Sequence, residues 1–112
     1  MNPTRLERLI EMRKDDPKDP FLIYAVAMEY QKADQLELAL TFYEELIENH
    51  PDYVGTYYHL AKLYEILKKI EEADACYQIG MKIARKLGEN HAYNELQSAY
   101  RSFQGLDEED EY

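Results

Sequence analysis

Residues 23–43, IYAVAMEYQKADQLELALTFY, and residues 57–77, YYHLAKLYEILKKIEEADACY, decide the fold when one is laid above the other. The offset of 34 residues pairs Tyr24 with Tyr58, Ala27 with Ala61, Tyr30 with Tyr64, Glu37 with Glu71, Ala39 with Ala73 and Tyr43 with Tyr77. Val26 against Leu60, Leu36 against Ile70 and Ile47 against Met81 are conservative matches at the same offset. A fixed period of this length marks one supersecondary unit stacked on a copy of itself. Alanines at 27, 39, 61 and 73 let two helices approach closely, and the large residues at 30, 43, 64 and 77 fill the space beside them.

Working outward, apolar residues keep the helical i, i+3, i+4, i+7 spacing along the chain. Leu6, Leu9 and Ile10, with Arg13 as the one polar miss, predict a helix over 3–15, opened by an Asn2 cap with Pro3 in the first turn. The run from Asp15 to Pro20 stops it and offers Asp19-Pro20 as a second cap, so a helix is predicted over 20–32. After the polar interruption Ala33-Asp34-Gln35, a stripe of Leu36, Ala39, Leu40, Tyr43, Leu46 and Ile47 predicts a third helix ending near Asn49. His50-Pro51-Asp52 breaks the chain before a fourth helix over 53–67, and Lys68-Lys69 forms the next corner. A fifth stripe, from Ile70 to Ala84, stops at Gly88, where a left-handed cap is favoured; Ala92, Leu96, Ala99, Tyr100 and Phe103 mark a sixth helix. No segment alternates like a strand, and the corners are short enough only for antiparallel neighbouring helices. The predicted class is all-α, with about six helices.

Composition bounds the chemistry. A chain of 112 residues with 46% apolar and 32% charged residues is one domain's worth of compact helical protein. Its formal charge of -10 opposes binding to phosphate backbones and anionic lipid surfaces, so neither nucleic acid nor a membrane is an expected partner. Five acids at 107–111 supply half of that charge, and residues 106–112 are predicted to be an acidic, disordered tail. A single cysteine, Cys76, leaves no internal disulfide framework, the N-terminal residues lack a signal peptide's apolar core, and no apolar run reaches the roughly 20 residues a bilayer demands. A cytoplasmic location is the expectation.

The periodic residues carry a family resemblance. Ile23, Val26-Ala27, Tyr30, Ala39, Tyr43 and Pro51 in one unit, and Tyr57, Leu60-Ala61, Tyr64, Ala73, Tyr77 and Gly80 in the next, make a pattern that resembles the tetratricopeptide repeat. The resemblance implies a right-handed superhelix of antiparallel helix pairs: 1–19 an N-terminal helix and linker, 20–53 and 54–87 the two repeats, 88–105 a capping helix, and 1–105 one domain. There are two departures. Leu46 stands where the family prefers a small residue, and Arg85 replaces the closing Pro, which predicts a longer fifth helix. The resemblance further implies a non-catalytic module that binds a protein or peptide segment along the inner surface lined by the first helix of each pair. The alternative is a structural subunit of a larger assembly that self-associates through an incompletely capped end or its tyrosine-rich surface; a monomer or weak homodimer is expected.

Family resemblance places Tyr24, Met28, Tyr58, His59, Lys62 and Tyr93 on that concave side, off the packing signature. Tyr24 and Tyr58 are one period apart and Tyr93 falls one residue past it, so the three rings are expected to form a row, either as binding anchors or as padding inside the superhelix. His59 and Lys62, one turn apart, add a pH-sensitive group and a cation. In the chaperone-binding branch of the family, Lys, Asn and Arg residues grip a C-terminal carboxylate; the matching positions here hold Tyr24, Met28, His59, Glu89 and Tyr93, so that clamp is missing.

Catalytic and metal-binding patterns are not legible in the residues. His50, His59 and His91 never pair at i, i+4, Cys76 lies on an apolar stripe where a buried structural thiol is expected, and His50 beside Pro51 suits the end of the third helix. No Gly-x-Ser-x-Gly elbow, Gly-rich phosphate loop or His-Glu-x-x-His occurs, and the acidic tail lacks the spaced ligands and Gly of a calcium loop. No enzyme activity, cofactor or metal is expected.

Overall fold

Corner chemistry explains most of the architecture. The computed structural model describes residues 3–105 and contains six helices: α1 (Arg5–Asp15), α2 (Pro20–Lys32), α3 (Leu36–Asn49), α4 (Gly55–Ile66), α5 (Ile70–Leu87) and α6 (Asn90–Phe103). Among the described residues there is no strand. The acidic tail expected at 106–112 lies outside them. At the start of α1 the cap is Thr4, not Asn2: its hydroxyl accepts the Glu7 N–H at 3.1 Å while the Glu7 carboxylate accepts the Thr4 N–H at 2.9 Å. This reciprocal box satisfies two orphan donors, which Asn2 followed by Pro3 could not match. The same bonds hold the Glu7 carboxyl below its ordinary value. Asp19 caps α2 as expected, accepting the Phe21 N–H at 2.9 Å with Pro20 in the first turn.

The 34-residue period is written into the backbone as well as the side chains. After α2, Asp34 lies at φ 62°, with its N–H on the Gln31 carbonyl and the Gln35 N–H on the Tyr30 carbonyl. After α4, Lys68 lies at φ 64°, with its N–H on Glu65 and the Lys69 N–H on Tyr64. Both are left-handed closures that satisfy the last carbonyls of a helix, and Gly88 closes α5 by the same pair of bonds. The linkers preceding α2 and α4 also repeat. Asp16 at φ -144°, ψ 70° and His50 at φ -139°, ψ 63° each end a helix just before a proline.

The chain divides into two compact units, Met1–Thr56 and Tyr57–Tyr112, close to the 53/54 repeat boundary. In the first, Leu9, Leu22, Ala25 and Val26 form a core against which Leu6, Tyr30 and Phe42 pack. Tyr30 stacks on Phe42 at 5.5 Å, Arg13 lies over the same Phe42 ring and pairs with Glu45, and the Tyr43 hydroxyl donates to Gln31 at 2.9 Å. Leu46, the large residue at a position the family keeps small, is fully buried.

In the second unit the equivalent position is Gly80. A Cβ there would sit 2.6 Å from the Tyr57 Cβ and 3.2 Å from a Leu96 methyl, so only glycine lets α4 and α6 come this close to α5. Tyr77 is buried between Tyr100 and Phe103, with centroids 5.6 and 5.5 Å away, and its hydroxyl donates to Glu65. The Tyr100 hydroxyl and the Gln78 amide donate to the two oxygens of Asp74, each at 2.7 Å. With no proline at 85, α5 runs 18 residues against 14 for α3, as Arg85 predicts.

Candidate interaction surface

Four buried residues fix the face that α4 leaves half-open. Tyr57, Leu60, Ala61 and Leu63 point into the core, and the helical turn of about 100° per residue then brings Tyr58, His59 and Lys62 to one partly exposed flank. There the His59 ring meets Tyr58 edge-on at 5.5 Å, and the Lys62 ammonium lies 5.9 Å from the Tyr58 ring centre. Its nearest acid, Glu65, is 3.9 Å away and already accepts the Tyr77 hydroxyl. Lys62 therefore keeps a cation over an aromatic face with only loose neutralisation. Burial pushes the His59 imidazole below its ordinary value, partly opposed by Glu95, so the ring is neutral at pH 7.

The other expected residues fall into separate settings. Tyr93, on α6, is held by Arg85: the guanidinium lies 4.7 Å from the ring centre and donates to the hydroxyl at 2.6 Å. Tyr24 and Met28 are half-buried on α2 in the first unit, where Tyr24 packs against Tyr53 at 5.7 Å. Leu60 and Leu63 on α4 are matched in burial by Leu96 and Ala99 on α6, an offset of 36 rather than 34. Tyr93 thus does not fall into the register of Tyr58. Tyr53, Glu65, Arg85 and Glu95 are partners the sequence reading passed over. Glu65 had a signal, since Gln31–Tyr43 and Glu65–Tyr77 are the same pair one period apart.

The histidines and the thiol have structural places. The His50 N–H closes α3 on the Leu46 carbonyl at 2.8 Å, and His91 is exposed at the start of α6. Cys76 is buried, its thiol donates to the Tyr57 carbonyl at 3.5 Å, and burial pushes it up to about 12, far from a thiolate at neutral pH. Among the described residues no group of three or more His, Cys, Asp or Glu could hold a metal ion, and no helix is long and apolar enough to cross a membrane.

Repeating helix pairs, with aromatic and cationic groups left on a first-helix face, define a helical-repeat protein. A model of the tetratricopeptide repeat matches residues 42–75, one period cut at a different phase from 20–53 and 54–87. The solution structure of a tetratricopeptide repeat domain protein from Salinibacter ruber is 47% identical, covers 83% of this chain and 94% of its own, and superposes with a TM-score of 0.77. The chain belongs to the tetratricopeptide repeat family, and its fold is that of the helical-repeat solenoids. A curated relative, the uncharacterized protein ycf37 of Porphyra purpurea, is 42% identical over 64 residues; these make up 55% of this chain and 37% of that protein, so the match spans well under half of the relative's length. The TPR2B domain of yeast Sti1, solved in a complex with pHsp70, shares the fold with a TM-score of 0.82 at 18% identity, over 91% of this chain and 82% of that one.

Proposed function

We propose that this chain is a protein-interaction module that holds an extended segment of a partner against tyrosine-bearing faces of its first helices, without catalysis. The observation that carries the reading is Lys62 poised over Tyr58 beside a neutral His59 on the partly exposed flank of α4. Aromatic rings give large contact area at little entropic cost, and a half-neutralised cation next to them favours an anchor that is apolar or aromatic with an acidic group nearby. Tyr93 extends this character in the second unit, and Tyr24 with Met28 offers a similar half-buried face in the first. The fold supports the coarser part of the proposal, since tetratricopeptide repeats generally serve protein interaction and the TPR2B domain of yeast Sti1, of the same fold, is solved in a complex with pHsp70. A reducing, cytoplasmic setting is part of the proposal and rests on the lone buried thiol.

The test is calorimetry with the partner recovered from the source cell. Tyr58→Ala and Lys62→Glu should each weaken binding by about 1–2 kcal/mol with helical content unchanged. Full affinity in both variants would refute the face. A peptide ending in several carboxylates, the ligand type of the chaperone-binding branch, should bind no tighter than about millimolar, because His59 and Glu89 stand where cationic or amide donors would be needed. Self-association is the second reading. It is favoured by Ile66 and Ile70, 54% and 53% exposed on either side of the Lys68 corner, and a concentration-independent monomer in sedimentation would remove it.

A further inference from the structure

By register, α1 is the second helix of a pair. Asp16 closes α1 and His50 closes α3 with nearly the same backbone, 34 residues apart and each before a proline. The same offset sets Leu9 over the buried Tyr43 and Tyr77, Arg5 over Ala39 and Ala73, Arg8 over Phe42 and Cys76, and Met12 over Leu46 and Gly80. In the two repeats this flank lies under the repeat's own first helix. Tyr30 of α2 stacks on Phe42 at 5.5 Å, the Cys76 thiol donates to the Tyr57 carbonyl of α4 at 3.5 Å, and a Cβ on Gly80 would meet the Tyr57 Cβ at 2.6 Å. Among the described residues no helix precedes α1, and its flank is open: Met12 is 54% exposed where Leu46 is fully buried, and Arg5 and Arg8 are exposed where Ala39 and Cys76 are buried.

We propose that the Arg5–Arg8–Met12 flank of α1 seats a helix of a partner protein, antiparallel to α1, apolar at its start and acidic toward its end. The matched flanks of α3 and α5 are each covered by a helix, which sets the shape of the occupant. The direction follows from the second repeat, where Tyr57 meets Gly80 and Glu65 meets Tyr77, so that contact moves back along the second helix as it moves forward along the first. An apolar side chain belongs over Met12, and carboxylates belong beyond it, over Arg8 and Arg5. Arg8 is held only by a long bond to the Pro3 carbonyl at 3.4 Å, and the Arg5 side chain, 63% exposed, meets Glu29 at 3.2 Å through one of its nitrogens. The acids of α1 itself are engaged elsewhere, Glu7 in the Thr4 cap and Glu11 with Lys14. Both guanidiniums therefore keep donors for an incoming carboxylate. The site is independent of the Tyr58 face, so either assignment can fail without the other.

The probe is a synthetic peptide of about 18 residues, long enough to hold a helix, with Tyr and Leu in its first two turns and Glu along the same face of its last two. It is titrated into the full chain and followed by amide NMR shifts. The expected result is saturable shifts centred on residues 5–12, weakened at least about fivefold by Met12→Gln and by Arg8→Glu, both at exposed positions. The Arg8→Glu chain should in turn bind a peptide with Lys in place of Glu at least about fivefold more tightly than the parent chain does, an exchange that a misfolded variant would not show. A peptide of the same composition in reversed order should bind the parent at least about fivefold more weakly than the probe. Equal binding of the two orders would reduce the effect to bulk charge and overturn the proposal. So would shifts confined to α4, α5 or α6, an unaltered affinity in Arg8→Glu, or the absence of saturable shifts, which would make the flank a solvated end of the stack. A concentration-dependent shift of the same signals without peptide would also overturn it, with a second copy as the occupant.

Discussion

One added methyl group at residue 80 would put a Cβ 2.6 Å from the Tyr57 Cβ, a rigid part of a buried side chain. Gly80→Ala is therefore expected to lose about 1–3 kcal/mol in urea denaturation, although alanine is the better helix former. Unchanged stability would mean that α4 and α5 can separate at no cost. At the matching position of the other repeat the sign of the argument reverses: Leu46 is fully buried, and Leu46→Ala should lose about 2–5 kcal/mol through the cavity it leaves. His59 supplies a pH dependence. Burial lowers its folded-state pKa below the unfolded value of 6.5, so the unfolded chain binds more protons in that window and stability rises with pH. The contribution is complete above pH 6.5 and is lost as pH falls through the lower folded value. The drop in melting temperature between about pH 7.5 and pH 5.5 should be smaller in His59→Gln than in the parent protein. An equal drop in both would show that the imidazole is not desolvated.

Helices and their corners respond to different chemistry. Two non-glycine residues, Asp34 and Lys68, occupy left-handed backbone at matched corners. Aspartate tolerates that region through its short polar side chain, but lysine gains nothing from it. Lys68→Gly should raise stability by about 0.5–1 kcal/mol and Lys68→Val should lower it, with Asp34→Gly gaining less; a melting series settles the order. This corner shows what could and could not be read from the chain. The interruption at 33–35 and the break at 68–69 were plain from polarity and from the stripes on either side, and α2, α3 and α5 start and stop where those signals put them. The first cap was misread because Asn2-Pro3 carries a strong local signature, while Thr4 wins through a reciprocal bond with Glu7 that only the folded turn assembles. The left-handed corners at Asp34 and Lys68 carry no glycine and leave no mark in the sequence, whereas the one at Gly88 does.

For the molecule as a whole, the repeat is legible because packing repeats, whereas the residues proposed to meet a partner carry no such period, because they are what packing leaves over. Tyr58, His59 and Lys62 came together since one helix with a known buried face holds all three. Tyr93, on α6, is engaged instead by Arg85, whose guanidinium lies over its ring and donates to its hydroxyl. The first unit depends on its leading helix: Leu9 is buried in the core with Leu22, Ala25 and Val26, and Leu6 packs against it. Deleting residues 1–15 should remove about 1.5–3 kcal/mol per buried leucine, a large share of the stability of so small a protein, and melt the first unit well below the intact chain. A truncated chain that melts like the parent would refute this.

The central claim is that the partner is held on the Tyr58 face of α4. Its most direct test is an NMR titration of the isotope-labelled chain with a partner segment identified from the source cell. The prediction is that the Tyr58, His59 and Lys62 signals shift first and farthest, with Tyr93 following. Shifts confined to α3 and α5, with those residues undisturbed, would contradict it.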